Sequence, residues 1–180
     1  MIRLLIPDFE YESLQAIPLK DLQENGIKGL LLDLDNTVTP WNDNTLTKDT
    51  IDWFSKIKAA GISACFISNN RRPERVAAVA DALGIVYVYK ANKPRKQAFL
   101  KGIANLGLKP EETAVVGDQI FTDVLGGNML GLKTILVLPI YEREFAGTKV
   151  LRFMERIAGR KIRFTAKQEN IRRITKEDQT

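Results

Sequence analysis

Apolar residues in this chain fall into short unbroken runs, separated by longer stretches with helical spacing. Five runs read as strands: the leucines from Leu30 to Leu32, which carry the signature of a strand buried on both faces, and residues 62–67, 85–89, 113–117 and 134–138. Between them lie four helical stretches. The first starts at the N-cap residue Thr47 and stops at Gly61. The second opens near Pro73 and ends at Gly84, and the third carries Phe99, Ile103 and Leu106 inward before Gly107. The fourth is short, residues 123–130, and leads through Gly131 into the last strand. Such regular alternation predicts an α/β fold, a mostly parallel doubly wound sheet with helices on both faces. Residues 1–26 precede this pattern. Leu14, Ile17, Leu19 and Leu22 there predict a lead-in of short helices broken near Pro18, with Gly26 as the stop. The organisation expected is a lead-in over 1–26, a core over 27–145 and a tail over 146–180.

The tail differs in charge. From 149 to 173, nine basic residues, Arg152 and Arg156 among them, face only Glu155 and Glu169, and Val150, Leu151, Phe153, Met154, Ile157 and Ala158 recur with helical spacing. A basic amphipathic helix of this kind either lies on an anionic membrane surface or packs on the sheet with a solvated basic face. The chain of 180 residues suits one domain with a sizeable core. No apolar run approaches the roughly 20 residues of a membrane span, and the N-terminus lacks signal-peptide character. With a single cysteine, Cys65, inside a predicted strand, no disulfide forms within the chain, which agrees with a reducing cytoplasm. The expected location is therefore cytoplasmic, with peripheral contact at the inner face of the membrane if the tail lies there. Histidine is absent, which excludes His-based triads and most zinc sites. Chemistry must come from carboxylates, hydroxyls, lysine and a hard metal ion.

The strand ends carry those groups. The leucine run closes in Asp33-Leu34-Asp35-Asn36-Thr37, and ligands gather at the carboxyl ends of strands in open α/β sheets. Strand alternation would point Asp33 and Asp35 to one side, where two like charges need a cation, a proton or a polar nest. An isolated Asp-Asn-Thr can equally be a plain turn. The same grammar recurs, however: Ser68-Asn69 close the second strand, Lys93-Pro94 follow the third, and Asp118 closes the fourth with Asp123 after it.

This order resembles the haloacid dehalogenase (HAD) phosphohydrolase superfamily, whose pattern is DxDxT, a hydrophobic run ending in Ser or Thr, then Lys, then GDxxxxD. The four motifs stand intact as Asp33-Leu34-Asp35-Asn36-Thr37, Phe66-Ile67-Ser68, Lys93-Pro94 and Gly117-Asp118-Gln119-Ile120-Phe121-Thr122-Asp123. The resemblance implies a three-layer fold with strand order 5-4-1-2-3, the five predicted strands numbered in sequence. It also implies the division of labour. Asp33 would attack phosphorus and form an aspartyl-phosphate, and Asp35 would act as acid and then base. Ser68 and Lys93 would bind the phosphoryl group, with Thr37 and Asn69 beside them. Mg²⁺ would be held by Asp33, Asp118 and the backbone carbonyl of Asp35, with Asp123 orienting the metal shell or Lys93.

Spacing argues against a cap domain. Asp35 and Ser68 are 33 positions apart and Ser68 and Lys93 are 25 apart, enough for a helix and a strand each time. An uncapped site is open to a large or membrane-presented phosphorylated substrate and encloses a small metabolite poorly. A finer match is to the YqeG-type subgroup, related to mitochondrial phosphatidylglycerophosphate phosphatases. It is carried by Gly26-Ile27-Lys28-Gly29, Pro40-Trp41, Ser68-Asn69-Asn70 and Ala91-Asn92-Lys93-Pro94. It implies phosphatidylglycerophosphate as substrate, with Trp41, Arg71, Arg72 and the tail at a lipid-facing rim. Two other expectations stand beside it: the same chemistry on a soluble nucleotide, sugar phosphate or phosphoprotein, and an assembly factor without turnover. No RNA-reading motif accompanies the basic residues, so nucleic acid is not an expected partner. The oligomeric state stays open.

Overall fold

A computed structural model of the chain describes residues 2–140. The tail predicted as a basic amphipathic helix lies outside the described residues. Six parallel strands make one sheet: β1 Phe9–Tyr11, β2 Gly29–Leu32, β3 Ser63–Ile67, β4 Val86–Val88, β5 Thr113–Gly117 and β6 Lys133–Val137. Their order is β1-β6-β5-β2-β3-β4. The expected 5-4-1-2-3 arrangement is the run β6-β5-β2-β3-β4, with the leucine strand β2 at its centre. Leu31 stands opposite Cys65 on one side and Val115 on the other.

The leucines alternate between two cores, which accounts for the three layers. Leu30 and Leu32 pack in one core with Trp53, Phe54, Ile57, Phe66 and Val76. Leu31 packs in the other with Cys65, Phe99, Ile103 and Val115. Complete burial of each leucine contributes roughly 1.5–3 kcal/mol. The first core is covered by α2 (Lys48–Ala59) and α3 (Pro73–Leu83), and the second by α4 (Lys96–Leu106). Thr47 caps α2 by accepting a hydrogen bond from Thr50 N at 3.2 Å. Gly84 ends α3 in the left-handed region at φ 64°, where a side chain would be strained. Cys65 is fully buried, and burial pushes its thiol up to about 12, so it is a packing residue.

The lead-in holds one element that the apolar pattern did not predict. Helical turns occur at Leu14–Ala16 and, as α1, at Leu19–Glu24, on either side of Pro18 as expected. Ahead of them β1 adds a sixth strand beside β6, with Phe9 opposite Ile135 and Tyr11 opposite Val137. Three residues are too few to show a period. The strand is held from its flanks: Asp8 Oδ2 accepts from Thr134 N at 2.8 Å, and the Tyr11 hydroxyl donates to Asp21.

Between Asp35 and Ser68 the chain forms a loop, α2 and β3; between Ser68 and Lys93 it forms α3 and β4. Neither interval contains a cap. Among the described residues no helix is long and apolar enough to cross a membrane.

Candidate active site

Four adjacent strands, β5, β2, β3 and the edge strand β4, deliver the predicted groups to one end of the sheet. β2 stops at Leu32, and Asp33 N donates the next ladder bond to Val116 O at 2.9 Å. The chain then turns sharply: Asn36 adopts φ 64°, and Asn36 N donates to Thr39 O at 2.8 Å. At the end of β3, Ser68 N donates to Val88 O, and Ala91 N donates back to Ser68 O. Asn69 Oδ1 accepts from Lys93 N at 2.8 Å, fixing the loop that carries the lysine.

After β5 the GDxxxxD segment makes a π-helical turn, Ile120–Val124, continued by α5, Leu125–Asn128. The predicted short helix is thus wider at its start than an α-helix. Asp123 N and Val124 N share Gln119 O, and the wide turn sends the Asp123 side chain back over Gly117. A Cβ on Gly117 would lie 2.3 Å from Asp123 Cγ, so only glycine lets this carboxylate in.

Lys93 is the hinge of the charge arrangement. Its Nζ lies 2.7 Å from Asp33 Oδ1 and 2.6 Å from Asp123 Oδ1, and all three side chains are buried. Asp123 Oδ2 also accepts from Gln119 N at 3.2 Å. Burial pulls the Lys93 ammonium down, but the adjacent carboxylates of Asp123 and Asp33 outweigh it and hold the lysine well above its ordinary value. Oxygens of Asp33, Asp118 and Asp123 all lie within 4.8 Å of one another. Burial pushes the Asp33 carboxyl up to about 6, against the pull of Lys93. Among the described residues no cation pairs with Asp118; burial, then the charges of Asp33 and Asp123, push it up to about 7. Three crowded oxygen donors with one lysine among them are short of positive charge. A hard divalent cation fits that donor set.

Asp35 stands apart from this group. The strand ends before it, so alternation no longer governs its direction, and its oxygens are not among those that gather with Asp33, Asp118 and Asp123. Its Oδ1 lies 2.8 Å from Arg75 Nη2, and its Oδ2 accepts from Asn70 Nδ2 at 3.1 Å. Arg75, on α3, is buried, and the same Nη2 donates to Asp43 O at 2.9 Å and to Thr39 Oγ1 and Pro40 O, both at 3.3 Å. It therefore ties the loop after the first motif to α3. Sequence reasoning passed over Arg75. A signal was present: it lies four residues before Val79 on the inward face of α3, where an arginine requires a partner.

Of the remaining candidates, Thr37 is buried and its hydroxyl makes a long 3.4 Å bond to Asp118 Oδ1. Ser68 is fully buried; its Oγ accepts from Asn70 N at 3.1 Å, which leaves its own proton for another acceptor. Asn69 and Arg71 line an open cleft of about 410 Å³ together with Asn92, Lys93 and Arg95. Arg72 lies outside that lining, at the start of α3. Trp41 is exposed in the turn after Pro40.

A buried carboxylate–lysine cluster on an uncapped, doubly wound parallel sheet defines a class of hydrolase, and comparison with known proteins agrees. A family profile described as haloacid dehalogenase-like hydrolase matches residues 40–131. The chain is 39% identical over 154 residues to the probable phosphatase YqeG of Bacillus subtilis, covering 86% of this chain and 89% of that one. It is 28% identical over 145 residues to the chloroplastic phosphatidylglycerophosphate phosphatase 1 of Chlamydomonas reinhardtii, covering 76% of this chain and about half, 54%, of the relative. A crystal structure of an uncharacterized protein from Listeria monocytogenes shares the fold at 16% identity, with a TM-score of 0.55 over 72% of this chain and 99% of that one. The chain belongs to the haloacid dehalogenase-like hydrolases. Within them it is a phosphatase, a phosphoric monoester hydrolase.

Proposed function

We propose that this phosphatase acts on a phosphomonoester presented at a membrane surface, converting phosphatidylglycerophosphate to phosphatidylglycerol through a phosphorylated Asp33. The observation that carries the mechanism is the placement of Asp33: a buried carboxylate on the Lys93 ammonium, with Asp118 and Asp123 beside it. Asp33 Oδ attacks phosphorus, and the bond from phosphorus to the alcohol oxygen breaks. Asp35 gives the departing oxygen its proton. Asp35 then takes a proton from water as that water attacks the aspartyl-phosphate, which frees phosphate and restores Asp33. Ser68 donates its hydroxyl proton to a phosphoryl oxygen, and Thr37 and Asn69 stand beside that group. Lys93, kept in place by Asp123, offsets the phosphoryl charge. Asp33, Asp118 and the Asp35 carbonyl would hold Mg²⁺, which supplies positive charge to the phosphoryl oxygens when bound.

The lipid assignment draws on the plastid relative's activity and on the rim. The site has no cap, and four exposed large apolar side chains follow the carboxyl ends of strands or lie in loops at that end: Trp41, Tyr89, Phe121 and Ile140. Ile140 N donates to Asn36 O, which places this residue beside the first motif. Such a rim suits an interface better than free solution.

The test is phosphate release from micellar phosphatidylglycerophosphate with Mg²⁺, beside p-nitrophenyl phosphate and a nucleotide panel, for the wild type and Asp33→Asn. Lipid turnover that disappears in the variant is the expected result. Turnover of soluble esters alone would remove the lipid and keep the mechanism. Equal turnover by Asp33→Asn would remove Asp33 as nucleophile.

A further inference from the structure

The cleft next to Lys93 carries more positive charge than the reaction at Asp33 uses. Its lining is Asn69, Arg71, Asn92, Lys93 and Arg95, with no carboxylate among them. The Lys93 ammonium is committed to Asp33 and Asp123. Arg71 and Arg95 are exposed and form no ion pair with any described residue. Asn69 lines the cleft and spends its carbonyl oxygen on Lys93 N, which leaves its amide nitrogen as a donor. Two guanidinium groups and a spare amide, with no carboxylate in the lining, make a site for an anion. Lys93 lines this site and also touches Asp33, so an anion there neighbours the reacting phosphate. The volume of about 410 Å³ lies within the range of small-molecule sites, enough for a phosphate group with several attached carbons.

We propose that Arg71 and Arg95 form a second anion subsite that binds a phosphodiester of the substrate adjacent to the phosphomonoester held at Asp33. Each guanidinium fork matches two phosphate oxygens, which a lone ammonium cannot do. The subsite selects phosphomonoesters that carry a second phosphate a few bonds away over singly charged ones. It deepens the phosphatase reading of Asp33 and rests on it. Because the cleft is open, salt screens the contacts and each arginine is worth about threefold to fivefold in affinity at low ionic strength, so that the pair together exceeds tenfold.

Two soluble probes isolate the subsite: glycerol 3-phosphate, and glycerophosphoglycerol phosphate, which adds one phosphodiester to a similar leaving group. For the wild type kcat/KM is expected to favour the second by at least tenfold at low salt, a preference that shrinks as salt is added. In Arg71→Ala/Arg95→Ala that ratio falls towards one, with thermal unfolding verifying the fold. Calorimetric binding of both probes to Asp33→Asn gives the same ratio without turnover. Equal binding of the two probes, or a double variant that weakens both in proportion, overturns the subsite. A phosphodiester preference in binding, with no phosphate released from either probe by the wild type, leaves the subsite standing and removes the reading of Asp33.

Discussion

Arg75 fixes the position of Asp35. One guanidinium nitrogen meets Asp35, Thr39 and the carbonyls of Pro40 and Asp43, so a single side chain fixes both the carboxylate and the loop around it. Replacing it with methionine keeps the volume but leaves a carboxylate without its ion pair. Arg75→Met is expected to cost about 3 kcal/mol in a denaturant melt and to lower kcat at least tenfold. An unchanged melt would show that water replaces the arginine at no cost. Gly117 is as specific a requirement. Gly117→Ala pushes Asp123 off its place, so Lys93 loses one of its two carboxylates and phosphate release should fall at least tenfold while the strand survives. A third expectation concerns pH. Asp118 is held near 7 and Asp33 near 6 by burial, above the roughly 4 of an unfolded carboxylate. The native state therefore keeps protons that the unfolded chain releases. Their contribution to stability is full below about pH 4 and is lost as pH rises towards 7. A bound cation reverses that loss. Mg²⁺ should raise the melting temperature more at pH 8 than at pH 5.5, and the difference should shrink in Asp118→Asn to what Asp33 alone contributes. These residues divide by legibility. Asp33, Ser68 and Asp118 could be read because each closes an apolar run, and Lys93 because it follows one within a few residues. The inward position of Arg75 signals that it needs a partner, but that the partner of both Arg75 and Asn70 is Asp35 is a contact across the fold, which only the fold supplies.

Among elements, the central strands were legible for a simple reason. A strand buried on both faces must be apolar throughout, and four such runs separated by amphipathic helices leave few other arrangements for β2, β3, β5 and β6. The N-terminal strand lacked that signal: β1 is half-buried, three residues long and at the sheet edge. Its pairing depends on the flanking polar contacts of Asp8 with Thr134, through both the amide at 2.8 Å and the hydroxyl at 3.2 Å. Asp8→Ala should cost about 1–2 kcal/mol and raise hydrogen exchange at residues 133–137 before the rest of the sheet. Uniform exchange across the sheet would mean that β1 is not a separable edge. The π-helical turn over Ile120–Val124 was likewise hidden. Its sequence is compatible with a short α-helix, and the extra residue per turn answers to the packing of Asp123 against Gly117 and Lys93.

For the whole molecule, an uncapped site places the burden of selectivity on the rim and on whatever surface presents the substrate. The basic residues of the segment 149–173 are the part of the sequence best suited to an anionic membrane. On the membrane reading proposed above, Arg152→Glu/Arg156→Glu should weaken binding to anionic liposomes at least tenfold at low salt, and undiminished binding would remove the tail from that reading. The strand order has a different consequence, in time rather than in space. β1 pairs with β6, and Asp8 and its partner Thr134 are 126 positions apart. At roughly 5–20 residues per second of synthesis, β1 emerges about 6–25 s before its partner exists. During that interval β2, β3, β4 and β5 can assemble in the order of their synthesis, while the unpaired edge of β5 awaits β6. The first strand made is therefore the last to dock. A ribosome stalled before residue 133 should carry the central sheet with its N-terminal segment still open to protease.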